Sequence, residues 1–532
     1  MSRFNLIDEK WIPVRFPDGT RDELGISDTL LRAGEIAAIE DPSPLVVAAL
    51  HRFLLAVLYR ALEGPTDIDQ AKALFKTGLP GEKITAYLEK WRDRFWLFDE
   101  KYPFGQIPTF KPNKWRAWTS LAVEHNADTA KVLFDHTSEA EPGSISPAEA
   151  TRWLFATQTF AVSTGKSEIS HTGTAPSAGS MMVIPIGLKL LDTLFFCLIP
   201  QNRMVMGADI PIWEKEAESV EYLKTKIKVI DKKSGGDKDR TVEREATGVV
   251  DLYTWRTRAV IFKESSSGHI TNLGFASGVG YKESLDCDPM LGYTIKEISE
   301  KGAKDKVKRK FSVQFEEKGV WRDFDSLLPD ETRLAPKVIE HAVVLTRKDR
   351  NRFPLGVLVV GQKYFPPRPN VAFWRREFFV LPEAISGDRN IRHEIHELLV
   401  DANNGADVLN RACEAFARDM LGHGTRKVEK ADVISFVEQM SVPSFYWAVL
   451  ESRFHEILSE YTLDRDPDDI RHQWLKSVMD ALAQTWRQHS ASVASGDVWA
   501  IRALVKAEGL ILRKLNELKG EIKKLEPQEE VA

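Results

Sequence analysis

The chain has 532 residues, 43% of them hydrophobic and 28% charged, which is the composition of an ordinary soluble protein large enough for two or more cores. Its net charge of −5 excludes a globally basic nucleic-acid binder, so any such binding must come from local patches or a neighbouring subunit. Cys197, Cys287 and Cys413 lie far apart with no CxxC pair, which argues against a disulfide framework or a cysteine zinc site and fits a reducing cytosol.

In chain order, Asp8, Glu9 and Lys10 stand where a signal peptide would need an apolar run, so a cytoplasmic protein is expected. Residues 4–15 read as two short strands around a turn, with Pro13 placing the second at a sheet edge. Residues 27–33 read as a short helix. Asp41-Pro42-Ser43 then caps a strong helix that starts at Pro44 and closes at Gly64-Pro65. That helix carries His51, Arg52 and Arg60, which marks it as buried or amphipathic and not as a membrane span. One or two further helices are predicted over 67–97, and 98–109 is too rich in Pro and Gly for regular structure.

Residues 163–180 have no periodicity and almost no large apolar side chain, yet apolar runs bracket them. Gly165, Gly173 and Gly179 free the backbone for φ > 0 and for close approach of another molecule. A small-residue loop of this length is functional, disordered or a plain surface connection. Gly165-Lys166-Ser167 is not a phosphate loop, because Phe160 stands where GxxxxGK[ST] needs its first glycine. Beyond it, 183–199 suits strands or a short buried helix, 224–245 a solvated hairpin tip, and 255–262 a helix or strand. Residues 275–293 look loop-like, 296–310 hold seven Lys/Arg against three acids, 311–315 alternate as a strand, and 357–360 form a β-branched run.

From about residue 384 the texture changes to long helical periodicity. Leu409, Cys413, Phe416 and Met420 keep 3–4 spacing, as do Leu450, Phe454, Ile457 and Tyr461, and Trp474, Val478, Leu482 and Trp486. A last set runs from Ile501 to Leu518. The predicted fold class is therefore α+β: a mixed α/β domain over 1–385 followed by an antiparallel four-helix bundle over 386–532.

The 12 histidines include no HExxH or Cys/His set, and His393 and His396 lack a nearby third ligand. No GxSxG elbow and no isolated acidic pair appears, so neither a catalytic residue nor a metal or other cofactor is expected. What stands out is three loops carrying Gly, Lys and Arg between aromatic segments: 163–180, 278–282 and 362–376. Each offers backbone amides and cationic tips to a phosphate backbone or a groove.

Taken together, the chain resembles the large subunit of the type I-E CRISPR surveillance complex, Cascade. Leu6-Ile7-Asp8-Glu9-Lys10-Trp11-Ile12-Pro13-Val14 is similar to that family's opening LIDxxWIPV, and Tyr102-Pro103-Phe104-Gly105-Gln106 to its HPFxQ. The C-terminal bundle, with Phe445-Tyr446-Trp447 and Glu451, completes the match. The resemblance implies a non-catalytic subunit beside the 5′ end of the guide RNA. Such a subunit reads the protospacer-adjacent motif (PAM) in target double-stranded DNA, helps part the strands, and recruits the helicase–nuclease. It works with the other Cascade subunits and has no membrane partner.

Carried over by position, the resemblance places the guide-end or PAM loop at Phe134, Asp135 and His136. The DNA-binding glycine loop falls at Gly165, Lys166 and Ser167, with one glycine only, and the lysine finger at Lys282. The glutamine wedge falls near Arg368 and Asn370, where this chain has no glutamine and Gln362 is the nearest. In 278–282 two glycines would let the backbone approach a groove, while Asp286 and Asp288 offer Lys282 an ordinary surface ion pair instead. Two rival classes remain: a nucleic-acid enzyme with an unrecognised acidic metal site, and a purely architectural subunit.

Overall fold

The computed structural model describes residues 4–122, 143–163, 167–170, 172–202, 207–230, 237–265, 268–282, 288–299, 306–316, 318–328, 333–347, 355–365, 371–381, 390–424, 426–462, 464–493 and 496–526. The fold is α+β, and the chain divides into two compact units. One comprises Met1–Lys318 with Pro329–Phe379, the other Gly319–Leu328 with Val380–Ala532.

The first unit is built on the helix Pro44–Leu62. Ser43 caps it, with its hydroxyl oxygen accepting from Val46 N, and Pro44 occupies the first turn, where its missing N–H costs nothing. Apolar residues surround the helix on all sides, so every residue from Pro44 to Leu62 except Arg60 is buried. The helix is long and apolar enough to cross a membrane, but 89% of its most apolar window is buried inside the fold. Trp11 stacks on Phe155 at 5.6 Å, and Phe53 and Phe104 close the same aromatic core.

Among the described residues the sheets are small, of two or three strands each. Ile12–Arg15 is the middle strand of the first, between Arg21–Leu24 and Ala38–Ile39. Pro13 is thus not on an edge strand. It is tolerated because the third strand pairs only with Val14 and Arg15. Arg258–Glu264 and Ile270–Ser277 pair antiparallel, with Arg116–Ala117 on the outer side. Val371–Val380, Gly356–Tyr364 and Met182–Ile186 form the third sheet. The predicted charged hairpin is an antiparallel pair, Lys226–Ile230 with Asp237–Thr241. The basic run 296–310 spans a second such ribbon, Tyr293–Ser299 with Lys306–Ser312.

His51 in the core helix and His341 in the helix Lys337–Thr346 are buried, and desolvation pushes each imidazole down from 6.5 to about 4. Between those values the unfolded chain binds protons that the folded chain refuses. This part of the stability is full above pH 6.5 and falls as pH drops toward 4. The melting temperature of the first unit is expected to decline across that window. His51→Gln should flatten the decline, and an unchanged slope would remove His51 as a source.

The second unit contains the four long helices that the periodicity predicts: Asn390–Gly422, Val442–Glu460, Pro467–Ser492 and Val498–Leu525. A shorter helix, Lys430–Met440, which the sequence reading does not separate, stands between the first two and ends at Ser441 with φ 53°. The segment Gly319–Leu328 belongs to this unit although it precedes the bundle by some sixty residues of chain. Its Trp321 packs on Trp447, Phe454 and Trp474 at 5.6, 5.1 and 6.5 Å.

Candidate nucleic-acid interface

The loop 163–180 leaves the helix Pro147–Phe160 and is anchored at both ends by buried polar groups. Gln158 on that helix accepts from Arg258 N through Oε1 at 2.8 Å and donates Nε2 to Arg258 O at 2.9 Å. The Arg258 guanidinium is 1% exposed. Its Nη2 donates to Val162 O at 2.5 Å and its Nη1 to Gly173 O at 2.8 Å, so one side chain holds the entry and the middle of the loop. Burial lowers the pKa of this guanidinium. Its neutral carbonyl partners offset part of that cost through charge-assisted hydrogen bonds.

Ser167 folds the loop locally, with its hydroxyl donating to Ser170 O at 2.8 Å. The same oxygen lies 3.0 Å from the Ser277 hydroxyl and accepts from Ser277 N at 3.0 Å. Gly173 runs beside Gly280, where an added Cβ would lie 3.7 Å from the Gly280 Cα. The loop's far end is held by Arg52, whose Nη1 donates to Ser177 Oγ at 3.1 Å and pairs with Asp288 at 2.7 Å.

The segment 277–282 continues from the strand end at Ser277. Gly280–Tyr281 pairs parallel with Glu243–Arg244, and Lys282 N donates to Arg244 O at 2.9 Å. Both glycines serve this packing. A Cβ on Gly278 would run into the Arg256 carbonyl, and one on Gly280 would sit 2.7 Å from Glu243 Cγ and 3.0 Å from Val242 O. Their freedom is thus used against neighbouring backbone, a requirement that the spacing alone does not reveal. The Lys282 side chain is 63% exposed, and its Nζ lies 2.9 Å from Glu245 Oε1. That hydrogen bond raises the lysine's pKa. The ion pair therefore forms with Glu245, while Asp288 is occupied in the core by Arg52.

Of the other residues singled out from the sequence, Phe134, Asp135, His136, Gly165, Lys166, Arg368 and Asn370 lie outside the described residues. Gln362 is fully buried in the strand Gly356–Tyr364 and donates Nε2 to Phe160 O at 2.5 Å, so it is a core residue and presents nothing to a groove. In the same sheet Arg375 pairs with Glu377 and lies over the Phe315 and Phe373 rings, and Lys363 pairs with Glu316.

On the basic ribbon Lys296, Lys308, Arg309 and Lys310 are all exposed; in the register Lys296 stands opposite Arg309, and Glu297 opposite Lys308. Among the described residues no group of three or more His, Cys, Asp or Glu is placed to hold a metal ion.

The family model for CRISPR-associated protein Cse1 matches residues 5–485. The chain belongs to that family. It is 29% identical over 538 residues to the CRISPR-associated protein CasA/Cse1 of Thermus thermophilus, covering 98% of this chain and 99% of that protein. The solved structure of Thermus thermophilus CasA (Cse1) superposes with a TM-score of 0.80 at 27% identity, over 97% of this chain and 100% of that one. A chain in a structure of a CRISPR RNA-guided surveillance complex shares the fold, with a TM-score of 0.68 at 18% identity over 96% and 99% of the two chains.

The segments that carry the family likeness in this Cse1-family chain are pieces of its core. Trp11 is fully buried and donates its indole N–H to Leu6 O at 2.9 Å. Gln106 donates to Leu97 O at 2.6 Å and accepts from Phe262 N at 2.8 Å. Sequence reasoning missed Gln158, Arg258 and Ser277. Arg258 carried a signal, as a charge directly before the apolar run Ala259–Phe262.

Proposed function

We propose that this chain is the large subunit of an RNA-guided DNA-surveillance complex, assembled with guide RNA and further protein subunits. In that role it reads the PAM in duplex DNA, helps part the strands, recruits a helicase–nuclease, and performs no chemistry of its own. The observation that carries the reading is the exposed Lys282 at the end of a segment packed against the 163–180 loop, within a chain whose net charge is −5. A cation raised on a braced backbone, in a chain that is not basic overall, suits a local contact to a DNA groove. The exposed ribbon of Lys296, Lys308, Arg309 and Lys310 adds a place for the phosphate backbone.

Lys282→Ala in the assembled complex is expected to weaken binding of a PAM-containing duplex by roughly tenfold to a hundredfold, the range of one lost base contact. The loss should be much smaller on a target whose strands are already apart, because duplex entry is bypassed. Melting should not move, since the Lys282–Glu245 pair is exposed. Equal losses on both targets would reduce the role to general electrostatics, and no loss would remove Lys282 from the interface. Cleavage of labelled DNA by the purified chain with magnesium would replace this reading with a nuclease.

A further inference from the structure

The loop 163–180 and the segment 277–282 are distant in sequence but share one anchor. Arg258 and Ser277 are register partners at the end of the pair formed by Arg258–Glu264 and Ile270–Ser277. From this one position Arg258 reaches Val162 O and Gly173 O, and Ser277 reaches the Ser167 hydroxyl with both its N–H and its own hydroxyl. Thr257, one residue before Arg258, donates its hydroxyl to Gln158 O at 2.7 Å, which ties the helix before the loop to the same strand end. Ser277 is fully buried and Ser167 half-buried, so water competes weakly for their hydrogen bonds. From Ser277 the chain reaches Lys282 in five residues, braced by backbone bonds from Gly278, Val279, Gly280 and Lys282 to their neighbours.

We propose that Ser277 and Ser167 are positioning residues that join the loop and the Lys282 segment into a single reading unit, so that neither meets duplex DNA independently. The coupling rests on the reading of Lys282 as a DNA contact. Its physical basis is mutual restraint. The Ser167–Ser277 bonds restrict the conformations of both segments before DNA arrives, so less ordering remains to be done on binding. Without them each segment keeps its own anchors, the loop through Arg258 and the lysine segment through its backbone pairing, so the fold survives while the relative placement loosens.

The test uses the full chain assembled with guide RNA and its partner subunits. The probes are a duplex selected for binding from a library randomised beside the target, and an equal-length duplex with that flank replaced. Ser167→Ala and Ser277→Ala are each expected to weaken binding of the selected duplex by roughly threefold to tenfold, the ordering cost of one side chain on binding. Binding of the replaced duplex should stay unchanged, and thermal melting should fall only slightly, by the loss of one or two buried hydrogen bonds. The double variant should lose no more than the more affected single variant, because both remove the same link. In a Lys282→Ala background the serine substitutions should have no further effect. A serine variant that weakens both duplexes equally, or not at all, while Lys282→Ala still discriminates between them, overturns the coupling and leaves the Lys282 reading standing. If Lys282→Ala itself does not alter binding, both fall together.

Discussion

Asp288→Ala is expected to lower the unfolding free energy of the first unit by roughly 3–5 kcal/mol, because it strands a buried cation. Arg52 is 1% exposed and Asp288 4%, and their 2.7 Å contact lies between the core helix and the start of the 288–299 segment. Besides that bond, the guanidinium has the Ser177 hydroxyl and the Tyr253 ring 4.3 Å away, neither of which carries a negative charge. The aspartate does more than pair, since its Oδ1 accepts from Met290 N at 3.0 Å and turns the chain into the next strand. Chemical denaturation followed by a probe confined to the first unit measures the loss. Asp288→Asn should fall between wild type and alanine, because it keeps an acceptor without the charge. Arg52→Met combined with Asp288→Ala should recover part of the loss, since no charge is then left unpaired. If Asp288→Ala melts like wild type, water reaches the guanidinium and the pair does not hold this part of the core.

Trp321→Ala is expected to destabilise the second unit by roughly 3–5 kcal/mol, the cost of removing a large buried aromatic. Trp321 is 1% exposed and touches three aromatic residues on two helices, Trp447 and Phe454 on Val442–Glu460 and Trp474 on Pro467–Ser492. Its neighbour Arg322 lies 3.6 Å from the Trp447 ring, and Phe324 packs on Phe454 at 5.6 Å. The segment therefore acts as a plug in the bundle, and removing its largest side chain leaves a cavity that helix packing cannot close. Trp321→Phe should recover about half of the loss. Thermal unfolding followed by far-ultraviolet circular dichroism reads the effect, since the unit is largely helical. A melting curve unchanged by Trp321→Ala would show that the four long helices hold without the plug.

Several features were determined by the sequence itself. The four long helices were legible because an amphipathic helix writes its buried face at 3–4 spacing, as at Leu450, Phe454 and Ile457, all of which are buried. The core helix was legible from Ser43 and Pro44 at its start and from the long apolar run that follows, while its burial within the fold shows where that run is spent. The Cse1 family was legible for a related reason. Trp11 and Gln106, which stand in the two motifs, both make side-chain hydrogen bonds in the core. Local chemistry of this kind depends on residues a few positions apart.

What the tertiary structure alone decided are pairings across long stretches of chain. Arg52 meets Asp288 across 236 residues, Ser167 meets Ser277 across 110, and Gln158 meets Arg258 across 100. No periodicity encodes such pairs, because each depends on how whole elements dock. The same limit explains the segment Gly319–Leu328, whose apolar residues find their burial in a bundle that begins far downstream. It explains Lys282 as well: the sequence offers it Asp286 and Asp288, whereas the fold takes the Asp288 carboxylate into the core and pairs the lysine with Glu245. It also explains Gly278 and Gly280, whose spacing suggests an open approach to a ligand. Only the packed neighbours Arg256 and Glu243 show that the missing side chains make room for the protein's own backbone.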